Sequence, residues 1–202
     1  MIKRFVIALS MLLCLTATTA LAADKSDWYD KSYNFKGIRS AMVYSMDFSD
    51  ADGVESDFVE RELNDIYLDA SQIPSYQMYS SKNSAVDNTT ITINAELVDY
   101  KIEERLIPGH WETHTEKTKG RYKDRDGKWR YGDVETEVQE WVEDKYVSDS
   151  RVTIRFRAVD VSSGREIFMR EESRLHTDST NRKGVFTRIC KTFFNDLKKK
   201  MK

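Results

Sequence analysis

The 202-residue chain predicts an α+β fold. The expected form is an antiparallel-rich sheet with two helices on one face, in the order β-α-β-β-β-β-α, carrying a long inserted β-hairpin. Three observations predict it. Val59, Leu63, Ile66, Tyr67 and Ala70 form one stripe at helical spacing, and so do Phe186, Ile189, Cys190, Phe193, Phe194 and Leu197. Ile91, Ile93, Ala95 and Leu97, and later Val152, Ile154, Phe156 and Ala158, alternate with polar residues as half-buried strands do. Between those strands, residues 108–148 are too long for an ordinary connection and too regular for a structureless loop.

The chain opens with Met1, Lys3 and Arg4, an apolar run from Phe5 to Leu15 interrupted by Ser10, and Ala20-Leu21-Ala22. That is the layout of a secretory signal peptide over residues 1–22. Its apolar run falls short of the ~20 residues needed to cross a bilayer. The mature chain is therefore expected to start at Ala23, to work in the periplasm or outside the cell, and to hold no transmembrane segment. Cys14 should leave with the leader, and Leu13 is not the small residue that a lipid-anchor site needs before its cysteine. Cys190 then remains alone as a small core hydrophobe, without an internal disulfide. The leader carries two of the 32 basic residues and none of the 34 acidic ones, so the mature chain is slightly acidic and has no net basic field for nucleic acid.

Residues 23–38 hold Trp28, Tyr29, Tyr33 and Phe35 among polar residues and read as an irregular N-terminal arm. Residues 39–202 read as a single domain. Ser40–Met46 is strand-like, Ser49-Asp50-Ala51-Asp52-Gly53 turns the chain, and a helix runs to about Ala70. Pro74 ends it, Tyr76 and Met78 mark a short strand, and residues 80–89 form a polar loop. In the strand from Ile91 the apolar parity slips to Val98, Tyr100 and Ile102, the mark of a β-bulge. The strand from Val152 slips likewise, to Val159 and Val161. Ser162-Ser163-Gly164 turns it into a hairpin partner at Glu166–Arg174. A helix from about Arg182 to Lys200 closes the chain, its lysines at the end the helix dipole favours.

Asp124-Arg125-Asp126-Gly127-Lys128 fits a three-residue hairpin loop with a left-handed glycine. Closing Asp124 on Lys128 makes paired residue numbers sum to 252. Lys117 then faces Glu135, Lys119 faces Asp133, Trp111 faces Trp141 and Gly120 faces Gly132. Favourable cross-strand pairs contribute about 0.2–1 kcal/mol each. Glu112 against Glu140 objects, so a bulge or a bound cation is expected there. Trp111, Tyr122, Trp129, Tyr131 and Trp141 are the candidate partner-binding residues. The hairpin either covers the sheet face opposite the helices or projects to an envelope protein or a second copy; the sequence leaves both open.

His110, Glu112, His114 and Glu116 alternate along one strand and offer imidazole and carboxylate donors for a metal. Same-face neighbours ~6.5–7 Å apart close a tetrahedral site poorly, so a solvated polar face is the default. Asp124–Gly127 lacks the remaining ligands of a calcium loop. Asn88-Thr89-Thr90 is a glycosylation sequon only in a eukaryotic route. Asp160 is expected to accept turn hydrogen bonds rather than move protons. No hydrolase, zinc-protease, phosphate-loop or dinucleotide signature occurs, and no cofactor is expected.

The run Val152-Thr-Ile-Arg-Phe-Arg-Ala-Val-Asp-Val-Ser-Ser-Gly-Arg-Glu-Ile-Phe168 resembles the hairpin of bacterial envelope domains of the curli secretion-channel lipoprotein and TolB amino-terminal type. The order strand, helix, short strand, long strand before it is similar too. The resemblance implies an envelope interaction module and not an enzyme, without the channel protein's lipid cysteine or membrane-spanning hairpin. The expected function is thus a non-catalytic binding or assembly module of the cell envelope. The alternative is a secreted protein binding a small molecule or metal on the His110/His114 face, with a hydrolase third.

Overall fold

A computed structural model describes residues 22–72, 77–80 and 89–202. The leader up to Leu21, Cys14, Pro74, Tyr76 and the polar segment bearing Asn88 lie outside the described residues. The elements are β1 (Ala22–Tyr29), a 3-10 turn (Phe35–Gly37), β2 (Ser40–Val43), α1 (Asp57–Ser71), β3 (Gln77–Ser80), β4 (Thr90–Ile107), β5 (His110–Lys123), β6 (Trp129–Val142), β7 (Lys145–Asp160), β8 (Glu166–His176) and α2 (Arg182–Met201). They divide into two compact units. One is formed by the chain up to Glu103 and from Ser148 onward, the other by Glu104–Val147.

The larger unit is α+β, with a sheet in the order β1-β8-β7-β4-β2-β3. The sheet is more mixed than expected. β2 is parallel to both β3 and β4, because α1 supplies the crossover that a parallel neighbour requires. At the other edge β1, β8 and β7 are antiparallel. Both helices pack on one face. Leu63 and Tyr67 of α1 and Phe186, Ile189, Cys190, Phe193, Phe194 and Leu197 of α2 join one core with Ile91, Ile93 and Leu97 of β4 and Val152, Ile154, Phe156 and Ala158 of β7. Phe193 stacks on Phe156 with ring centroids 3.9 Å apart, and Tyr67 tilts against Phe194 at 5.6 Å. The Val59 N–H donates to the Ser56 hydroxyl at the start of α1, and the Gly184 N–H to the Asn181 side chain at the start of α2.

The predicted parity slips are present in part: Ile102 is exposed, and burial in β7 keeps its parity to Asp160. Burial in β4 moves from Leu97 to Tyr100, and the β7–β8 register shifts between Ala158 and Val159. Residues 22–29, by contrast, are not irregular: β1 pairs with β8 from Ala22↔Leu175 to Tyr29↔Phe168. The helix-facing positions of β1 include Lys25 and Asp27, charged where an apolar residue would signal a strand, beside Tyr29, whose ring lies under Lys200 of α2 at 3.6 Å. The two charges are satisfied from β8 and α2. The buried Arg170 guanidinium donates to Asp27 (2.6 and 3.2 Å) and Asp196 (3.1 Å), and Lys25 bridges the same two carboxylates at 3.2 and 3.3 Å. Arg174 donates to the buried Glu172 at 2.6 Å.

The opposite sheet face is polar. Arg155 donates to Glu171 (2.9 Å) and Glu96 (3.0 Å), and Arg151 to Glu103 (2.9 and 3.2 Å). A shallow depression of about 180 Å³ beside Asp47, Asn94 and Arg155 lies on it, below the ~300 Å³ at which small-molecule pockets begin.

Candidate interaction surface

In the smaller unit, β5 and β6 pair antiparallel from His110↔Val142 to Lys123↔Trp129, in the register deduced from the loop. The turn explains it. Gly127 takes φ +76°, the left-handed conformation that costs other residues energy. The Asp124 carboxylate accepts from the Asp126 and Lys128 N–H groups, both at 3.0 Å, and from Arg130 Nε at 2.6 Å. The Arg130 hydrogen bond, then that of Lys128, holds the Asp124 carboxyl below its ordinary range. Lys117 meets Glu135 at 2.9 Å and Lys119 meets Asp133 at 3.9 Å. Trp111 and Trp141 form an edge-to-face pair with centroids 5.4 Å apart.

The expected bulge at Glu112 is absent; Glu112 pairs with Glu140 without a register shift. Glu112 instead meets His110 on its own strand, 3.2 Å from the imidazole. His114 and Glu116 stand 3.4 Å apart in the same way. The four candidate metal-binding residues thus form two separate His–Glu contacts rather than one donor set. Among the described residues no group of three or more His, Cys, Asp or Glu side chains is placed to hold a metal.

The five candidate aromatics do not share a face. Trp111, Trp129, Tyr131 and Trp141 occupy odd-numbered positions, which this register places on one side. They are 64%, 66%, 72% and 48% exposed. Tyr122 lies on the other side, where a Cβ added at Gly132 would stand 3.1 Å from its ring. That side also carries the half-buried Val134, Val138 and Val142, whereas every odd-numbered residue of β5 and β6 is exposed.

No protein-family model matches the chain, and no curated protein sequence does. Solved structures do. Two PelC dodecamer structures from Paraburkholderia phytofirmans align over 87% of this chain and 96% of theirs, with TM-scores of 0.49 and 0.48 at 10% and 9% identity. A DUF4136 family protein from Bacteroides thetaiotaomicron aligns over 89% of this chain and 97% of its own, at TM-score 0.37 and 11% identity.

The odd-numbered side holds a pattern that reading each residue singly misses. From Lys117 onward its β5 row is Lys117, Lys119, Arg121 and Lys123, all cationic. The acids facing them on β6 are Asp133 and Glu135, with Glu137 next along. Parity about the sum of 252 is the signal that exposes this, since neither strand's charge looks segregated when faces are mixed. Lys123 also stands over the Trp129 ring at 5.3 Å.

Two other chemical candidates are absorbed by the fold. Asp160 accepts from Tyr33 (3.0 Å), from the Ser162 hydroxyl (2.7 Å) and from the Ser163 hydroxyl and N–H (2.5 and 2.9 Å). Burial pushes this carboxyl upward, but the Ser163, Ser162 and Tyr33 hydrogen bonds outweigh it and bring it down to about 2. Cys190 is free and fully buried, and burial pushes its thiol up. A deeply protonated thiol is a poor nucleophile.

Proposed function

We propose that this protein is an exported, non-catalytic binding or assembly module of the bacterial cell envelope, with the β5–β6 hairpin as its contact surface. The observation that carries the reading is the exposure of four large aromatics on one side of that hairpin, the Trp111–Trp141 pair at its base and Trp129 and Tyr131 near its tip. Large aromatics are enriched at the anchoring centres of protein interfaces. An isolated two-stranded hairpin is also at best marginally stable in water, so a covering partner would stabilise this one. The leader-like residues 1–22 supply the export address. The non-catalytic part of the reading is supported by Asp160 and Cys190, which serve the turn and the core.

In-cell photo-crosslinking tests it. A benzophenone side chain at Tyr131 or Asp126 is expected to give discrete adducts in the envelope fraction. If sheet positions such as Arg157 give adducts and no hairpin position does, the hairpin is not the contact surface.

A further inference from the structure

We infer that the odd-numbered face of the hairpin is built to stack on the same face of a second copy of this chain, about a two-fold axis parallel to the strands. This rests on the hairpin being the contact surface and names the molecule that occupies it.

Charge complementarity selects both occupant and orientation. On this face β5 presents Lys117, Lys119, Arg121 and Lys123, and β6 presents Asp133, Glu135 and Glu137. A two-fold axis running along the hairpin lays the β5 row of one copy over the β6 row of the other, tip over tip. Each residue then meets, in the partner, the residue type it already faces within its own hairpin. Lysines 117 and 119 meet the acids at 135 and 133, Trp111 meets the tryptophan at 141, and Lys123 meets the one at 129. No like charges oppose. A two-fold axis across the hairpin at its midpoint does the reverse, because it sets Lys117 and Glu135 each against its own copy and Asp133 against Glu137. An isologous interface requires such a self-complementary patch, and like charges facing each other suppress the wrong arrangement.

Size sets the expected strength. Strands of 14 residues run ~46 Å at ~3.3 Å per residue. A two-strand face ~10 Å wide then offers roughly 900 Å² over both copies, at the low end for a specific interface. Association should therefore be weak and concentration-dependent.

Sedimentation of the exported chain, freed of its leader, from ~1 to ~200 μM should show monomer passing to dimer, as micromolar affinities require. Lys117→Glu with Lys119→Glu makes the middle of the face acidic in both rows, and Asp133→Lys with Glu135→Lys makes it basic in both. Each variant should stay monomeric alone, their equimolar mixture should dimerise, and the four-fold swap should regain self-association. The four-fold swap keeps the cross-strand ion pairs, which separates lost association from a lost hairpin. A monomeric wild type, or charge variants that associate as the wild type does, overturns the inference. The Tyr131 photo-crosslink separates the two readings. A self-adduct supports both. An adduct to a different protein without one overturns the second copy but leaves the hairpin as contact surface. No adduct from Tyr131, Asp126 or any other hairpin position overturns both.

Discussion

Arg170 and Asp27 form a two-pronged ion pair, Nε to Oδ1 at 2.6 Å and Nη2 to Oδ2 at 3.2 Å, which ties the edge strand β1 to β8. Arg170 is 1% exposed, and its guanidinium lies over the Phe168 and Phe193 rings at 5.5 and 5.7 Å. Its third contact, Asp196, comes from α2. The charge cluster therefore closes the sheet edge where the apolar core ends. Replacing Arg170 with Leu sets Asp27, Asp196 and the buried Glu172 around an apolar side chain, with Lys25, Lys199 and Arg174 left to partner them from the rim. Removing one partner of a buried pair costs about 3–5 kcal/mol. Asp27 is about one-third exposed, and its loss leaves Arg170 the Asp196 carboxylate, so Asp27→Asn should cost less, ~1–2 kcal/mol. Urea unfolding of the two variants checks the order; equal losses would mean that burial of Arg170 does not set the cost.

The Asp160 turn predicts acid sensitivity. Its carboxyl is held at about 2, against 3.8 ordinarily. A folded value below the unfolded one stabilises the fold above the unfolded value, and the gain disappears as pH falls through the folded one. Asp27 and Asp196 shift the same way: burial raises each, but hydrogen bonds and the charges of Arg170 and Lys25 outweigh it. Stability should therefore fall between pH ~4 and pH ~2. Asp160→Ala should lose about 1–3 kcal/mol at pH 7 by unpairing its donors. The gap between variant and wild type should narrow as pH approaches 2. A gap that stays constant across that range in denaturant titrations would show that the charge on Asp160 contributes nothing.

Cys190 offers a probe of the core. It sits at 0% exposure on α2, and burial raises its thiol well above the ordinary range, with Glu172 adding to the rise. Thiol reagents should leave it untouched in the native state and modify it at the rate of unfolding. Labelling that keeps pace with a free thiol in native buffer would contradict this packing. Cys190→Ala should cost ~1–2 kcal/mol through the small cavity left behind.

Much of this fold is legible in the sequence wherever burial follows apolar side chains. The α2 face is buried at every expected position, and the slip after Ala158 is a true register shift. The hairpin register is readable for a different reason: a turn of fixed length fixes every pair beyond it. β1 is not legible, because Lys25 and Asp27 point inward as ions whose partners, Arg170 and Asp196, lie 143 and more residues away. Nor is the parallel pairing of β2, which depends on where α1 returns the chain. At the candidate surface the aromatics are visible but their split is not, with Tyr122 turned to the valine side. The bulge expected at Glu112 does not form: Glu112 pairs in register with Glu140 and makes its side-chain contact to His110 along its own strand.

The turn at Gly127 gives the sharpest local test. Its φ is +76°, and an added Cβ would meet nothing within 4 Å. Space is therefore available, and the whole penalty of Gly127→Ala is the left-handed backbone, about 1–2 kcal/mol. Asn tolerates that conformation better, so Gly127→Asn should cost distinctly less. The cost should fall on hairpin closure, because Asp124 can hold the Asp126 and Lys128 amides only while the loop keeps this shape. Tryptic cleavage after Arg125 and Lys128, which requires local opening, should accelerate about 5- to 30-fold in the Ala variant, the range that 1–2 kcal/mol corresponds to. Cleavage at wild-type rate in Gly127→Ala would mean that the loop, and not the cross-strand pairs from Trp111 to Lys123, is dispensable for closing this hairpin.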